Sequence, residues 1–189
     1  MINPQNLSEN YAIIYRQYLS SLLGYGMGFG ISKELCMDGI QEVFCRLFSK
    51  KIDLNNKQEV KFFLFRCLKN CLINLKQKKD TGVVYTDQLP LTYSIEVTVL
   101  DNILDEEQSQ QLKTKVENLL SLLSDRQREA IYLRYMQEME YEEIAVVMKL
   151  NPESVRKLVY RGMKNIRKQT DSDTFYLLLW ALLNKIFFN

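Results

Sequence analysis

The feature that most constrains the fold is a pair of apolar repeats in residues 141–169, YEEIAVVMKLNPESVRKLVYRGMKNIRKQ, interrupted once by Asn151 and Pro152. Apolar residues recur at helical spacing on both sides of this interruption. An asparagine side chain can accept a hydrogen bond from the free N–H groups at a helix start, and proline lacks an N–H that a first turn would leave unpaired. The segment therefore predicts a helix, a tight turn and a second helix.

The second of these helices is expected to be basic on one face only. Its inward face consists of Val155, Val159, Gly162 and Ile166, and packs toward Ile144, Ala145 and Met148. Its outward face carries Arg156, Lys157, Tyr160, Arg161, Lys164, Arg167 and Lys168. Such a helix can enter a major groove with its first turns toward base edges while later basic residues hold phosphates. A solvated basic face on a packing helix is the alternative, but the capped start, short turn and one-sided charge together favour DNA binding.

Composition favours helices along the whole chain. The 189 residues include only 7 glycines and 3 prolines, which is few for a loop-rich or all-β protein, and 47% of residues are hydrophobic, which is enough to build cores. The formal net charge is only +2, so attraction to nucleic acid has to come from the placement of the charges. We predict an all-α protein.

The sequence argues against covalent chemistry. It contains no histidine, no nucleophile with a neighbouring base and no phosphate-binding loop. Cys36, Cys45, Cys67 and Cys71 lack metal-ligand spacing and are expected to be reduced, buried thiols. The first residues show no secretion signal. We therefore expect a cytoplasmic protein that is not an enzyme and needs neither a cofactor nor a metal.

Two helical blocks are separated by a stretch of different composition. The first block covers about residues 9–79 and contains a glycine-rich bend at residues 24–31. Residues 80–101, with turn formers and β-branched residues, are expected to be a linker. The second block begins near residue 103, and Ser124 with Gln127 predicts a capping box that opens one of its helices.

An apolar extension, DTFYLLLWALLNKIFFN, occupies residues 173–189. Its continuous apolar run is shorter than the roughly 20 residues of a transmembrane helix. We expect a C-terminal helix that packs on the second block or meets a partner, with contact at a membrane interface as the other option.

Two stretches resemble one known family. Residues 38–79, DGIQEVFCRLFSKKIDLNNKQEVKFFLFRCLKNCLINLKQKK, resemble region two of the sigma-70 family, and residues 123–168, LSDRQREAIYLRYMQEMEYEEIAVVMKLNPESVRKLVYRGMKNIRK, are similar to its region four. The extracytoplasmic-function (ECF) type keeps only these two regions, in this order. The resemblance implies region two in residues 1–79, a linker in 80–102, a helix-turn-helix or winged-helix-like region four in 103–170 and an apolar extension in 171–189. It also implies a sigma factor that binds core RNA polymerase and directs promoter recognition and transcription initiation.

The resemblance carries three sets of site residues over to this chain. On the helix that binds the clamp helices of the polymerase β′ subunit, they are Asp38, Gln41, Glu42 and Phe44. For the downstream promoter element, whose flipped base is read by a loop at residues 51–56, they are Asp53, Asn55, Asn56, Lys61, Phe62, Phe63, Arg66, Lys69, Asn70 and Lys76. For the upstream element they are Glu153, Ser154, Arg156, Lys157, Tyr160, Arg161 and Lys164. Leu158 and Met163 stand where many family members have basic residues, so an unusual promoter sequence is expected.

The partners implied by the resemblance are the β′ and β subunits of core polymerase, promoter DNA and an anti-sigma factor, which in this family is often membrane-bound. No small-molecule substrate is implied. One alternative stays open: a helix-turn-helix regulator whose N-terminal block senses a ligand or dimerises. Such a regulator would bind DNA without polymerase and would be insensitive to changes at Asp38 or Gln41.

Overall fold

The computed structural model describes residues 4–50, 52, 54, 56–81, 92–95, 106–172 and 175, and for residues 4–10, 76–81, 106–110, 112 and 113 it describes the backbone only. Every regular element in these ranges is a helix, which confirms the predicted all-α class. The chain divides into two compact units, Met1–Pro90 and Leu91–Asn189.

Among its described residues the first unit contains three helices, α1 (Pro4–Met27), α2 (Lys33–Ser49) and α3 (Lys57–Thr81). Each contributes an apolar face to a shared core, because its apolar residues recur three or four positions apart. The Tyr25 ring lies in this core, with its centre 5.1 Å from the ring centres of both Phe29 and Phe65. The largest fully buried aliphatic side chains described in this unit are Leu22, Ile40, Leu47, Leu64, Leu68 and Leu72.

The glycine-rich bend begins later than the sequence predicts. Helix α1 continues through Gly24 and Gly26, and the turn is confined to the few residues before α2. A Cβ atom at Gly26 would lie 3.0 Å from the Cys36 Sγ atom and 3.2 Å from a methyl carbon of Leu72, so glycine here lets α1 approach both other helices closely. Gly30, with a φ of +69°, has the left-handed conformation that favours glycine.

The described part of the second unit contains four α-helices, α4 (Glu106–Ser121), α5 (Asp125–Ile131), α6 (Tyr141–Met148) and α7 (Pro152–Gln169). The capping box predicted at the start of α5 is confirmed. The Ser124 hydroxyl accepts from the Gln127 N–H at 3.4 Å, and the Gln127 side chain accepts from the Ser124 N–H at 3.0 Å. After α5 the backbone continues into one π-helical turn, Tyr132–Met136, before the chain reaches α6.

Part of the expected linker packs into the core of the second unit. Tyr93 is only 1% exposed, and its ring centre lies 5.9 Å from that of Tyr132. Burial, together with the neighbouring Tyr132 and Glu129, raises the pKa of Tyr93 well above its ordinary value. Residues 92–95 are thus fixed to this unit, while residues 82–91 and 96–102 of the expected linker lie outside the described part of the chain.

The prediction that all cysteines are buried is confirmed for Cys36 and Cys71, is met only in part at Cys67 and is wrong at Cys45. All four are free thiols; Cys36 and Cys71 are buried, Cys67 is half-buried and Cys45 is exposed. Cys45 follows the buried Phe44 on α2, and the helical turn of 100° between neighbours rotates it to the solvent side.

None of the helices in the described ranges combines the length and apolar character needed to cross a membrane. The predicted C-terminal helix of residues 173–189 lies outside those ranges, except for Phe175.

Candidate nucleic-acid interface

Helices α6 and α7 form the predicted helix-turn-helix. The chain reverses at Lys149, whose φ of 54° and ψ of 48° are left-handed. Asn151 then starts α7, because its side-chain oxygen accepts from the Ser154 N–H at 2.7 Å. Pro152 is the first residue of the helix, as the sequence predicts. The prediction of two helices separated by a tight turn is confirmed.

The inward face of α7 is also the predicted one, since its buried residues are Val155, Val159, Gly162 and Ile166. A Cβ atom at Gly162 would lie 2.9 Å from the terminal methyl carbon of Ile131 and 3.3 Å from a methyl carbon of Leu123. Glycine therefore permits close contact between α7 and α5. The Asn165 side chain donates to the Leu122 carbonyl at 2.8 Å. These contacts fix the rotation of α7 and so determine which of its side chains face solvent.

The outward face of α7 is exposed along its length, as predicted. Its exposed residues include Arg156, Lys157, Tyr160, Arg161, Lys164, Arg167 and Lys168. In the first turn, the Lys157 ammonium lies 2.6 Å from a Glu153 carboxylate oxygen. The hydrogen bond and charge of Lys157 lower the pKa of Glu153, and an ionised carboxylate is favourable at a helix N-terminus. The half-buried Ser154 completes this turn.

A stack of one aromatic ring and two guanidinium groups joins the π-helical turn, α6 and α7. We call Arg134, Tyr141 and Arg156 the Tyr141 stack. The guanidinium carbon of Arg134 lies 4.8 Å from the centre of the Tyr141 ring, and that of Arg156 lies 5.4 Å from it. Arg134 also contacts Glu140 at 3.1 Å, and Arg156 contacts Glu142 at 2.7 Å. The stack thus restrains Arg156 at the exposed start of α7.

The candidate polymerase contacts lie on α2 of the first unit. Asp38, Gln41 and Glu42 are exposed, and the Glu42 carboxylate pairs with Arg46 one turn later. Phe44 is different. It is 3% exposed, and its ring centre lies 4.9 Å from that of Tyr15 on α1.

A shallow groove of about 440 Å³ runs beside these residues between α1 and α2. Its walls include the rings of Tyr11 and Phe48, whose centres are 3.9 Å apart, and the exposed Cys45. Gln41 lies at its edge. The groove is therefore apolar inside and borders the polar surface of α2.

Some of the downstream-element candidates lie outside the described part of the chain. These are Asp53, Asn55 and the side chain of Lys76. Asn56 is described and caps α3, because its side-chain oxygen accepts from the Glu59 N–H at 3.2 Å.

The remaining downstream candidates lie along α3 at different depths. Arg66 is exposed, whereas Lys61, Phe62, Phe63 and Asn70 are half-buried. Lys69 is only 7% exposed, and its ammonium lies 5.8 Å from the centre of the Phe29 ring. The structure therefore places Lys69 in the helix packing and the others at or near the surface.

Comparison with known proteins shows similarity to one family. Residues 113–166 match the family described as Sigma-70, region 4, a stretch that begins within α4 and ends within α7. Over 155 residues, 82% of this chain and 91% of the relative, the sequence is 24% identical to the ECF RNA polymerase sigma factor SigM of Bacillus subtilis (strain 168). Over 142 residues, 70% of this chain and 73% of the relative, it is 28% identical to the ECF RNA polymerase sigma factor SigW of the same organism. The chain is thus similar to ECF sigma factors of the sigma-70 family over most of its length, and its second unit matches the family's region 4.

Two features of the interface are not predicted by the sequence. The first is a second capping box, in which the Glu143 side chain accepts from the Glu140 N–H at 2.8 Å. The spacing of these glutamates carries a weak signal, but a capping box usually opens with serine or threonine. The second is the Tyr141 stack. No periodicity predicts it, because the backbone after the π-helical turn brings Arg134 to Tyr141.

Proposed function

We propose that this chain is a sigma factor that binds core RNA polymerase and directs promoter recognition and transcription initiation. The observation that carries the proposal is the exposed basic face of α7, held by a capped helix-turn-helix within the residues that match Sigma-70, region 4. The protein would perform no covalent chemistry and would need no cofactor.

Region four would place α7 in the major groove of the upstream promoter element. The contact candidates are Glu153, Ser154, Arg156, Lys157, Tyr160, Arg161 and Lys164. All of these except the half-buried Ser154 are exposed, which supports the assignment. The first turn would approach base edges while the later basic residues hold phosphates. Since each neutralised phosphate releases counterions, binding should weaken steeply with salt.

The α2 surface would bind polymerase at the clamp helices of its β′ subunit. Asp38, Gln41 and Glu42 form a polar exposed strip, as suits a partner helix. The buried Phe44 would act indirectly, because its ring supports the floor of the adjacent groove.

The loop before α3 and α3 itself would hold the melted downstream element. Asp53 and Asn55 would read the Watson–Crick edge of a flipped base, which an unpaired strand leaves open. Lys61, Phe62, Phe63, Arg66, Asn70 and Lys76 would stack on the single strand and contact its phosphates. Asn56 and Lys69 would support this surface from the cap of α3 and from within the helix packing.

Polymerase binding would come first, followed by docking of α7 upstream and capture of the unpaired base. Strand opening would follow because the melted form is the one bound. An anti-sigma factor that covers the α2 or α7 surface would hold the protein inactive until a signal arrives.

The test is transcription with sigma-free RNA polymerase from the same organism on genomic DNA fragments. Discrete start sites that depend on this protein would support the sigma role, and their loss in a Gln41→Ala, Glu42→Gln double variant would support the α2 surface. Ser20→Ala, an exposed position on α1, is the matched control. DNA binding without polymerase, and no transcription with it, would instead support a ligand-responsive regulator.

A further inference from the structure

A second groove lies on the exposed outward face of α7. Its volume is about 490 Å³, and its walls are formed by Tyr160, Met163, Lys164, Arg167, Lys168 and Phe175. Five of these belong to α7 itself. The sixth, Phe175, follows the helix in sequence, and its side chain lies on the same face as the basic side chains.

Phe175 is held in place by two contacts. Its N–H donates to the Asp171 carbonyl at 3.0 Å, and the guanidinium carbon of Arg167 lies 5.9 Å from the centre of its ring. The side chain is half-buried. The contact with Arg167 holds the Phe175 ring against α7.

The chemistry of this groove suits an apolar segment with little charge. Met163, Phe175 and the 66% exposed Tyr160 supply apolar surface, while Lys164, Arg167 and Lys168 form a basic rim. The Lys164 ammonium lies 5.7 Å from the centre of the Tyr160 ring, which leaves the aliphatic stem of the lysine along the groove. An exposed apolar surface of this kind is stabilised when another apolar group covers it.

The residues that continue directly from Phe175 match that chemistry. They are residues 176–189, YLLLWALLNKIFFN, in which all but Asn184, Lys185 and Asn189 are apolar. In helical form fourteen residues span about 21 Å, and the eighteen residues of α7 span about 27 Å. The segment is therefore long enough to lie along most of α7, and Phe175 tethers it at the groove.

We propose that residues 176–189 occupy the groove on the outer face of α7 and compete there with promoter DNA. Tyr160 and Lys164 line the groove and are also upstream-element candidates, so one surface cannot hold both ligands. The competition rests on the proposed function, whereas occupancy of the groove does not. If the face is open in one molecule in ten, the apparent affinity for promoter DNA is about tenfold below that of the open form.

The single tryptophan of the chain, Trp180, lies in this segment and reports on it directly. The experiment measures acrylamide quenching of Trp180 in the full-length protein, alone and with duplex carrying the upstream element. The groove variants are Met163→Ala and Phe175→Ala, which change no charge and introduce no hydrogen-bonding group that could contact DNA. Val146→Ala, an exposed apolar position on α6, is the matched control. Circular dichroism confirms folding of each variant.

We expect Trp180 to be shielded in the unchanged protein and in the control, and more accessible to acrylamide in both groove variants. Promoter duplex should release Trp180 in the unchanged protein and should bind the groove variants up to about tenfold more tightly. Equal quenching in all four proteins would overturn occupancy. Shielding that grows with protein concentration, or arises only with anionic lipid vesicles, would also overturn it, since the occupant would then be a second copy or a membrane.

The experiment tests occupancy of the groove and competition with promoter DNA independently of each other. Changed quenching in the groove variants with unchanged promoter affinity would support occupancy and overturn competition. A failure of the sigma role would instead be seen as an absence of specific transcription with polymerase, and would leave the quenching result intact.

Discussion

The Arg128 guanidinium donates a hydrogen bond of 2.7 Å to the main-chain carbonyl of Tyr93 and bonds of 3.1 and 3.2 Å to that of Leu123. One side chain thus connects the segment before α4 to the start of α5. Its other partner is Asp125, at 3.2 Å.

Removal of this guanidinium should destabilise the second unit. Arg128→Met keeps the aliphatic stem but removes the hydrogen bonds that Arg128 donates to the carbonyls of Tyr93 and Leu123, and we expect a loss of about 2 kcal/mol in the free energy of unfolding. Urea denaturation followed by circular dichroism measures the loss. Arg126→Met, at an exposed position on the same helix, should change stability little. Equal losses in the two variants would contradict the assigned role of Arg128.

Much of the second unit could be predicted from the sequence because its signals are local. A capping residue such as Ser124 or Asn151 bonds to backbone groups within three residues, and the rotation of α7 follows from its apolar period. The features that were missed depend on distant residues. Tyr93 lies in a segment with the composition of a linker, and its burial depends on Arg128 and Tyr132, which are far along the chain.

In the first unit, too, the features that the sequence did not predict depend on residues far apart in the chain. The sequence pattern predicts a turn at the glycines near residue 26, yet Gly26 lies within α1. A glycine is needed there because Cys36 and Leu72 approach it closely. Only the tertiary packing distinguishes a glycine that bends the chain from one that makes room for a neighbour. At the candidate polymerase site, the family resemblance predicts that Phe44 contacts the partner, but the structure buries its side chain. A sequence motif does not show whether one of its residues is buried.

Loss of the cap on α7 should weaken both the fold and upstream-element binding. Asn151→Ala removes the acceptor for the Ser154 N–H, and we expect a loss of about 1 kcal/mol in the free energy of unfolding. Asn151→Asp retains an acceptor and should stay close to the unchanged protein. Urea denaturation measures the first effect and promoter binding by the polymerase complex the second. A stability loss in the aspartate variant as large as in the alanine variant would contradict the capping role.

The Tyr141 stack should matter for DNA binding through its ring and not its hydroxyl. Tyr141→Leu removes the surface against which Arg156 is held, and a cation–π contact of about 0.5–1 kcal/mol predicts a two- to fivefold weaker promoter complex. Tyr141→Phe keeps the ring and should bind normally. Arg156→Ala should in addition reduce the slope of log affinity against log salt by about 0.9, if this residue neutralises one phosphate. A hydroxyl-dependent effect, with Tyr141→Phe as weak as Tyr141→Leu, would contradict this account.

The buried thiols should resist modification and make folding sensitive to high pH. Burial is the main cause that raises the pKa of Cys36 to about 11, and burial with the Glu42 carboxylate raises that of Cys71 to about 12. Their ordinary value in the unfolded chain is 9.0. The unfolded chain therefore loses these protons first, so the stability contribution is complete below pH 9 and is lost as pH rises toward 12.

Thiol labelling at pH 8 measures the difference directly. The exposed Cys45 should react first, and Cys45→Ser should remove that fast phase alone. Cys36 and Cys71 should react only as the protein opens, because the thiolate is the reactive form and burial disfavours it. Labelling of Cys71 as fast as Cys45 in folded protein would show that the first unit is more open than its packing indicates.

The upstream and downstream surfaces should differ in what their loss does to promoter choice. Arg161→Ala removes an exposed charge on α7, so it should weaken binding by a similar factor on every promoter sequence and reduce the salt slope by about one. Asn55→Ala should instead change the preference at one downstream base, because an amide reads a base edge through specific donors and acceptors. Binding of the polymerase complex to promoters varied one position at a time measures both effects. Uniform loss from both changes would contradict this division, whereas a base-specific loss from Arg161→Ala would move that residue from phosphate contact to direct readout.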